Sequence, residues 1–133
     1  MDISWKESYS VGITKIDEQH KKLFELLNEL KDAQENEKDY GFISKTISEL
    51  FDYSVYHFKI EEDLLKEINY PHLNEHIEEH EYFRRQVSEL QKMSNERKLI
   101  LNVKLVIFLK EWIFTHILAS DKDFGRFLKT IEK

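Results

Sequence analysis

His57-Phe58-Lys59-Ile60-Glu61, a break at Asn69-Tyr70-Pro71, then His76-Ile77-Glu78-Glu79-His80 is the stretch that decides how this chain folds. Residues four apart lie on one face of a helix, so His57 with Glu61 and His76 with His80 each put two ligand-type side chains on a line. The two pairs also sit symmetrically about the break. If the flanking segments are antiparallel helices, residues whose numbers share one sum lie at the same height, as 57 with 80 and 61 with 76 do. His57 is then expected to face His80 and Glu61 to face His76, about two to three helical turns from the connection. His72 forms a second H-x-x-x-H with His76, but its height matches Leu65, nearer the loop, and it is read as lying outside the site.

Composition supports helices throughout. The 133 residues include only three Gly and one Pro, with 41% hydrophobic and 35% charged residues, a balance expected of one domain made of long helices. A net charge of −6 argues against a nucleic-acid surface. The chain has no cysteine, which excludes disulfides, zinc-thiolate sites and thiol nucleophiles and fits a reducing cytoplasm. Neither a signal peptide nor an apolar run of membrane-spanning length is visible, so a cytoplasmic protein without membrane contact is expected, a monomer being favoured.

Residues 1–15 carry Trp5, Tyr9, Val11 and Ile13 without helical spacing and are expected to form an arm anchored by its aromatics. Thr14 and Asp17 resemble an N-terminal capping pair. A first helix is expected over 16–36, with Ile16, His20, Leu23, Phe24, Leu27 and Leu30 on one stripe. The polar run Glu35 to Asp39 leads to a second helix over 40–68, whose stripe includes Ile47, Leu50, Ser54, His57, Glu61 and Leu64. Pro71 suits the first turn of a third helix, which carries His76, His80, Phe83 and Val87 and ends at Met93-Ser94-Asn95. The fourth uses Leu101, Leu105, Leu109, Trp112 and Ile113 before His116, and Phe124, Phe127, Leu128 and Ile131 form a short terminal amphipathic segment. The expected architecture is an all-α, up-down-up-down antiparallel four-helix bundle, 16–133, with an N-terminal arm and a short C-terminal helix.

His20, His57, Glu61, His76, His80, His116 and Asp121 all fall on or beside the apolar stripes. An unpaired buried polar group costs about 1–3 kcal/mol, and a buried charge more, so so many in one core need a common partner. A metal cluster is such a partner. These donors outnumber what a tetrahedral zinc ion takes, and imidazole with carboxylate but no sulfur suits iron or manganese better than copper or structural zinc. Asp121 poses a geometric condition. Five residues beyond His116 is about 140° past a whole turn, so Asp121 reaches the same centre only if the helix loosens or ends near Ala119-Ser120.

Read together, the arm W-x-x-x-Y-S-V-G-I (5–13), I-D-E-Q-H-K-K-L-F (16–24), H-F-K-I-E-E (57–62), the Tyr70-Pro71 turn, H-I-E-E-H (76–80) and W-I-F-T-H-I-L-A-S-D (112–121) resemble the bacterial hemerythrins over nearly the whole chain. The resemblance implies an up-down bundle with short loops and reversible binding of molecular oxygen at two non-haem iron ions. It implies His76, His80 and His116 on one iron and His20 and His57 on the other. Glu61, Asp121 and a solvent-derived oxo or hydroxo group would bridge them, leaving an open position for oxygen on the iron held by His20 and His57. Leu65 and Ile113 stand where relatives often carry methionine and leucine and are expected to alter pocket volume. Trp112, Phe24 and Phe58 are candidates for the pocket wall or plain core, and Glu62 is a surface or supporting residue.

Five imidazoles against two carboxylates favour binding of oxygen, for storage, delivery or sensing, over its activation, since oxygen-activating bundles use carboxylate-rich Glu-x-x-His sites. The alternatives are a di-iron oxidase or peroxidase and a nitric-oxide or iron-handling protein.

Overall fold

A computed structural model describes residues 4–36, 40–95 and 100–131. Parts of the expected connections, 37–39 and 96–99, lie outside the described residues, as do the side chains of Leu101 and Leu105. Four long helices follow one another: α1 (Thr14–Glu35), α2 (Tyr40–Glu67), α3 (Leu73–Asn95) and α4 (Ile100–Thr115). A π-helical turn (His116–Asp121) joins α4 without interruption to α5 (Lys122–Ile131). There is no strand among the described residues. The helices run up, down, up and down, and α1 packs on α2 and α4, α2 on α3, and α3 on α4, closing a ring.

The stripes expected from spacing become the core. Leu23, Leu27, Leu30, Ile47, Leu50, Phe83, Val87 and Leu109 belong to one buried cluster. Val11, Ile16, Leu65, Tyr70 and Phe124 form a second, near the α2–α3 connection. The level between them is filled by His57 and Glu61 of α2 with His76 and His80 of α3. No helix among the described residues is long and apolar enough to cross a membrane.

The α2–α3 connection is a Schellman ending. Asn69 takes the left-handed conformation (φ 56°), its N–H bonds the Lys66 carbonyl (3.2 Å), and the Tyr70 N–H bonds the Leu65 carbonyl (3.0 Å). Asparagine tolerates this conformation, and Tyr70 and Leu65 pack in the same cluster, as this ending favours. Pro71 therefore belongs to the connection, and α3 starts two residues later than its placement in a first turn implied.

The arm is anchored as its aromatics suggested. Trp5 and Tyr9 meet each other and Phe24, and Tyr9 also meets Phe114 edge-on at 5.8 Å. Asp17 does not pair with Thr14, because the helix already includes Thr14. Its carboxylate reaches back to accept from the Val11 N–H (2.9 Å) and the Ser10 hydroxyl (2.5 Å). On the other side, Lys122 donates to the Ser8 and Ser10 carbonyls. Gly125 lets the arm lie against α5, since a Cβ there would stand 2.6 Å from the Val11 carbonyl oxygen. Gly125→Ala is expected to destabilise the fold by about 1–3 kcal/mol and to expose the arm to limited proteolysis. Unchanged unfolding and cleavage would show that the close approach carries no weight.

Candidate metal centre

All seven expected site residues converge at this level, none more than 3% exposed. α1 brings His20, α2 brings His57 and Glu61 one turn apart, and α3 brings His76 and His80 likewise. The α4 rod brings His116 and Asp121. Their donor atoms form two groups, Glu61 with His76, His80 and His116, and His20 with His57, Glu61 and Asp121.

The carboxylates lie between the groups, each offering a different oxygen to either side. Glu61 Oε1 faces Nε2 of His76 (2.5 Å) and His80 (3.1 Å), and its Oε2 faces Nε2 of His57 (3.1 Å). Asp121 Oδ1 is 3.1 Å from Nε2 of both His76 and His116, and its Oδ2 is 3.0 Å from His20 Nε2. Glu61 thus faces His76 as the symmetry argument expected. His57 and His80 fall into different groups, with the Phe58 ring touching both.

Asp121 gets there because the helix loosens. The six residues His116–Asp121 form a π turn, in which the hydrogen bond spans five residues and side chains five apart share a face. This was one of the two ways in which spacing allowed Asp121 to join His116, and the helix does not end. Single π turns inside α-helices cluster at functional sites.

Three histidines are oriented by neighbours from other helices. His57 Nδ1–H donates to Gln19 of α1 (2.6 Å), His80 Nδ1–H to Glu62 of α2 (2.8 Å), and His116 Nδ1–H to Glu79 of α3 (3.0 Å). A proton held at Nδ1 leaves the Nε2 lone pair for the centre, the arrangement that metal-binding histidines use. Each helix thus hands an acceptor to the histidine of the next. Glu62 is the supporting residue that its position beside Glu61 allowed. Gln19 and Glu79 were not anticipated, although both adjoin a site histidine in sequence. Glu79 also accepts from the Ser120 hydroxyl (2.7 Å), which ties α3 to the π turn.

Electrostatics make the metal-free arrangement costly to hold. Burial lowers the proton affinity of His20 and His76, but Asp121 and Glu61 outweigh it and hold both up at about 9. His57, also buried, is held below the ordinary histidine range. Asp121 is pushed well down, because His116 and His20 overcome both its burial and its repulsion by Glu61. His20 Nε2, Glu61 Oε2 and both Asp121 oxygens are buried without a hydrogen bond. A chain rarely leaves so many buried polar atoms unsatisfied, and cations are what this donor set would satisfy. The spacing suits them: two nitrogens about 2.1 Å from one ion at right angles lie about 3.0 Å apart, and Nε2 of His80 and His116 are 3.0 Å apart. Because a ligand imidazole must be neutral, and Asp121 and Glu61 also hold His116 well above the ordinary histidine range against its burial, loading the metal-free protein at pH 8 is expected to release about two to three protons per chain. A pH indicator in weak buffer measures this, and loading without proton release would contradict the charged state of His20 and His76.

A small cavity of about 10 Å³ adjoins the centre, lined by Leu23, Phe58, Trp112, Ile113 and Ile117 around His57, His116 and Asp121. Its remaining lining residue, Ser54, donates its hydroxyl to the Leu50 carbonyl (2.8 Å). Of the pocket candidates, Trp112, Phe58 and Ile113 line it. Leu65 and Phe24 do not; Leu65 packs in the second cluster, nearer the α2–α3 connection.

Comparison with known proteins agrees with this geometry. Residues 11–128 match the family model described as hemerythrin HHE cation binding domain. A bacteriohemerythrin of Pseudomonas aeruginosa is 36% identical over 117 residues, 88% of this chain and 75% of that protein. Another, of Clostridium acetobutylicum, is 34% identical over 125 residues, covering 90% and 96%. The crystal structure of a wild-type hemerythrin superposes with a TM-score of 0.86 at 28% identity, covering 93% of this chain and 95% of that one. With its sequence matched along most of its length and its bundle reproduced, the chain belongs to the hemerythrin family.

Proposed function

We propose that the protein binds dioxygen reversibly at a non-haem di-iron centre, in storage, delivery or sensing of oxygen, and is not an enzyme. His76, His80 and His116 would hold one iron, His20 and His57 the other, and Glu61 and Asp121 would bridge them with a solvent-derived oxygen. The assignment is supported by the division of the donors into a three-histidine and a two-histidine group that share carboxylates. When bound, such a pair of ions supplies two electrons that dioxygen can take up and return.

The observation that carries this reading is the small, largely apolar cavity against His57 and Asp121. At about 10 Å³ it is at the lower limit of room for one water-sized molecule, which admits only the smallest ligands. On the side away from His57, His116 and Asp121 its walls are apolar, and the Ser54 hydroxyl is already engaged by the Leu50 carbonyl. Trp112 stacks on His116 at 4.5 Å and 12°, closing one side of the space. The small, largely apolar space with its one hydroxyl engaged limits access of bulk water and proton carriers, conditions that favour release of oxygen unchanged. The acidic, cysteine-free composition fits work in the cytoplasm.

Metal analysis with an absorption series through anaerobic reduction, oxygen addition and argon purging tests it. About two irons per chain and a visible band that appears with oxygen and vanishes on purging are expected. Immediate irreversible oxidation, or sustained turnover of peroxide with a reductant, would replace this reading with an oxidase or peroxidase.

A further inference from the structure

A buried centre must be loaded from somewhere. One surface depression of about 250 Å³ reaches it: His76, 2% exposed, is its floor, and His72, Glu75, Glu79, Ser120 and Asp123 stand around it. The groove beside Ile60 and Asp63 and the depression beside Arg84 and Glu89 contain no member of the centre.

The walls of this depression are donors of the type found inside. His72, in the turn before α3, and Glu75, His76, Glu79 and His80 of α3 each stand three or four residues from another of the set, so they form one stripe. The stripe runs from His72, 71% exposed, through half-buried Glu79 to fully buried His80. His72 Nδ1 and Glu75 Oε2 stand 3.1 Å apart at the outer end. Across the opening Asp123 adds a third carboxylate, paired at its rim with Arg126. Lys122, the cation beside it in sequence, is turned away to the Ser8 and Ser10 carbonyls.

His76 itself points to a ligand on this side. Its Nε2 faces Glu61 and Asp121. Its Nδ1 makes no hydrogen bond within the centre and is on the side of the depression it lines, whereas the Nδ1 atoms of His57, His80 and His116 are committed to neighbours and the unpartnered Nδ1 of His20 is fully buried away from this depression. A buried imidazole with one nitrogen in the centre and the other beneath a ring of carboxylates is placed to pass a cation inward.

We propose that this depression is the port through which a divalent metal ion enters and leaves the centre, with His72, Glu75 and Asp123 capturing it and His76 handing it on. The inference rests on the reading of the seven buried side chains as a metal centre. Exposed carboxylates over a narrow opening raise the local cation concentration and therefore the rate of entry. They leave the final occupancy alone, because they are not part of the site.

Stopped-flow uptake of cobalt(II) by the metal-free full chain, followed by its absorption, tests the port together with release to EDTA. A variant combining His72→Ala, Glu75→Gln and Asp123→Asn is compared with Asp63→Asn plus Glu67→Gln, which removes the same carboxylate charge elsewhere. The first variant is expected to take up cobalt about tenfold more slowly, to release it more slowly by the same factor, and to reach the same final content. The second should match the wild type. Equal rates in the two variants, or lower affinity with unchanged uptake, would overturn the port. A wild-type chain that bound no cobalt would instead remove the centre on which it rests.

Discussion

Glu61→Gln is expected to empty the centre and to cost the metal-free fold about 3–5 kcal/mol, the range for removing one partner of a buried charged cluster. Glu61 offers one oxygen to each donor group, and an amide keeps the shape but loses the charge and one of the two acceptors. In the metal-free protein the same carboxylate helps hold protons on His20 and His76. A histidine whose folded value is raised to about 9 contributes stability that is full below its unfolded value, about 6.5, and fades as pH rises through 9. The penalty of the variant should therefore be largest near neutral pH and shrink above pH 9. Metal analysis and denaturant unfolding of the metal-free protein at pH 7 and 9.5 read both effects. Full metal content with wild-type stability would remove Glu61 from its place between the two groups.

Phe58→Ala has the second large expected effect. The Phe58 ring, 2% exposed, lies parallel to His80 at 3.9 Å and 9°, meets Phe83 edge-on, and walls the small cavity. Truncating a buried phenylalanine costs about 3–5 kcal/mol, through lost transfer energy and the void left behind. Here the void joins a space beside His57 and Asp121. Water or a proton carrier admitted there should shorten the life of the oxygenated protein, and Phe58→Leu, which refills most of the volume, should restore much of it. Decay of the oxygen-dependent band at fixed temperature, with unfolding measured alongside, separates the two consequences. A variant that lost stability yet kept the lifetime of the band would leave Phe58 as core and nothing more.

The four helices and the inward faces that carry His20, His57, Glu61, His76, His80 and His116 were legible in the sequence because each rests on spacing within one helix. His57 with Glu61 and His76 with His80 share faces by periodicity alone, and the Asn69-Tyr70-Pro71 break sets their relative height. Apolar neighbours at spacings of three and four then say which face is inside. Even the condition on Asp121 followed from counting, although it left two outcomes open. A π turn at His116–Asp121 decided between them. Such a turn depends on what holds the rod from outside, and here Glu79 of α3 bonds both His116 and Ser120.

What crosses between helices was decided only by the tertiary structure. Gln19 and Glu79 read as ordinary polar positions beside site histidines, yet each serves a histidine of the following helix. Leu65 and Ile113 were both candidates for the pocket, and only Ile113 lines it, with Leu23, Ser54 and Ile117, which were not singled out as wall residues. Periodicity states which face of a helix turns inward. It contains no term for how far a neighbouring helix is rotated or shifted along its axis, and hydrogen bonds and cavity walls change partners within an ångström of such a shift.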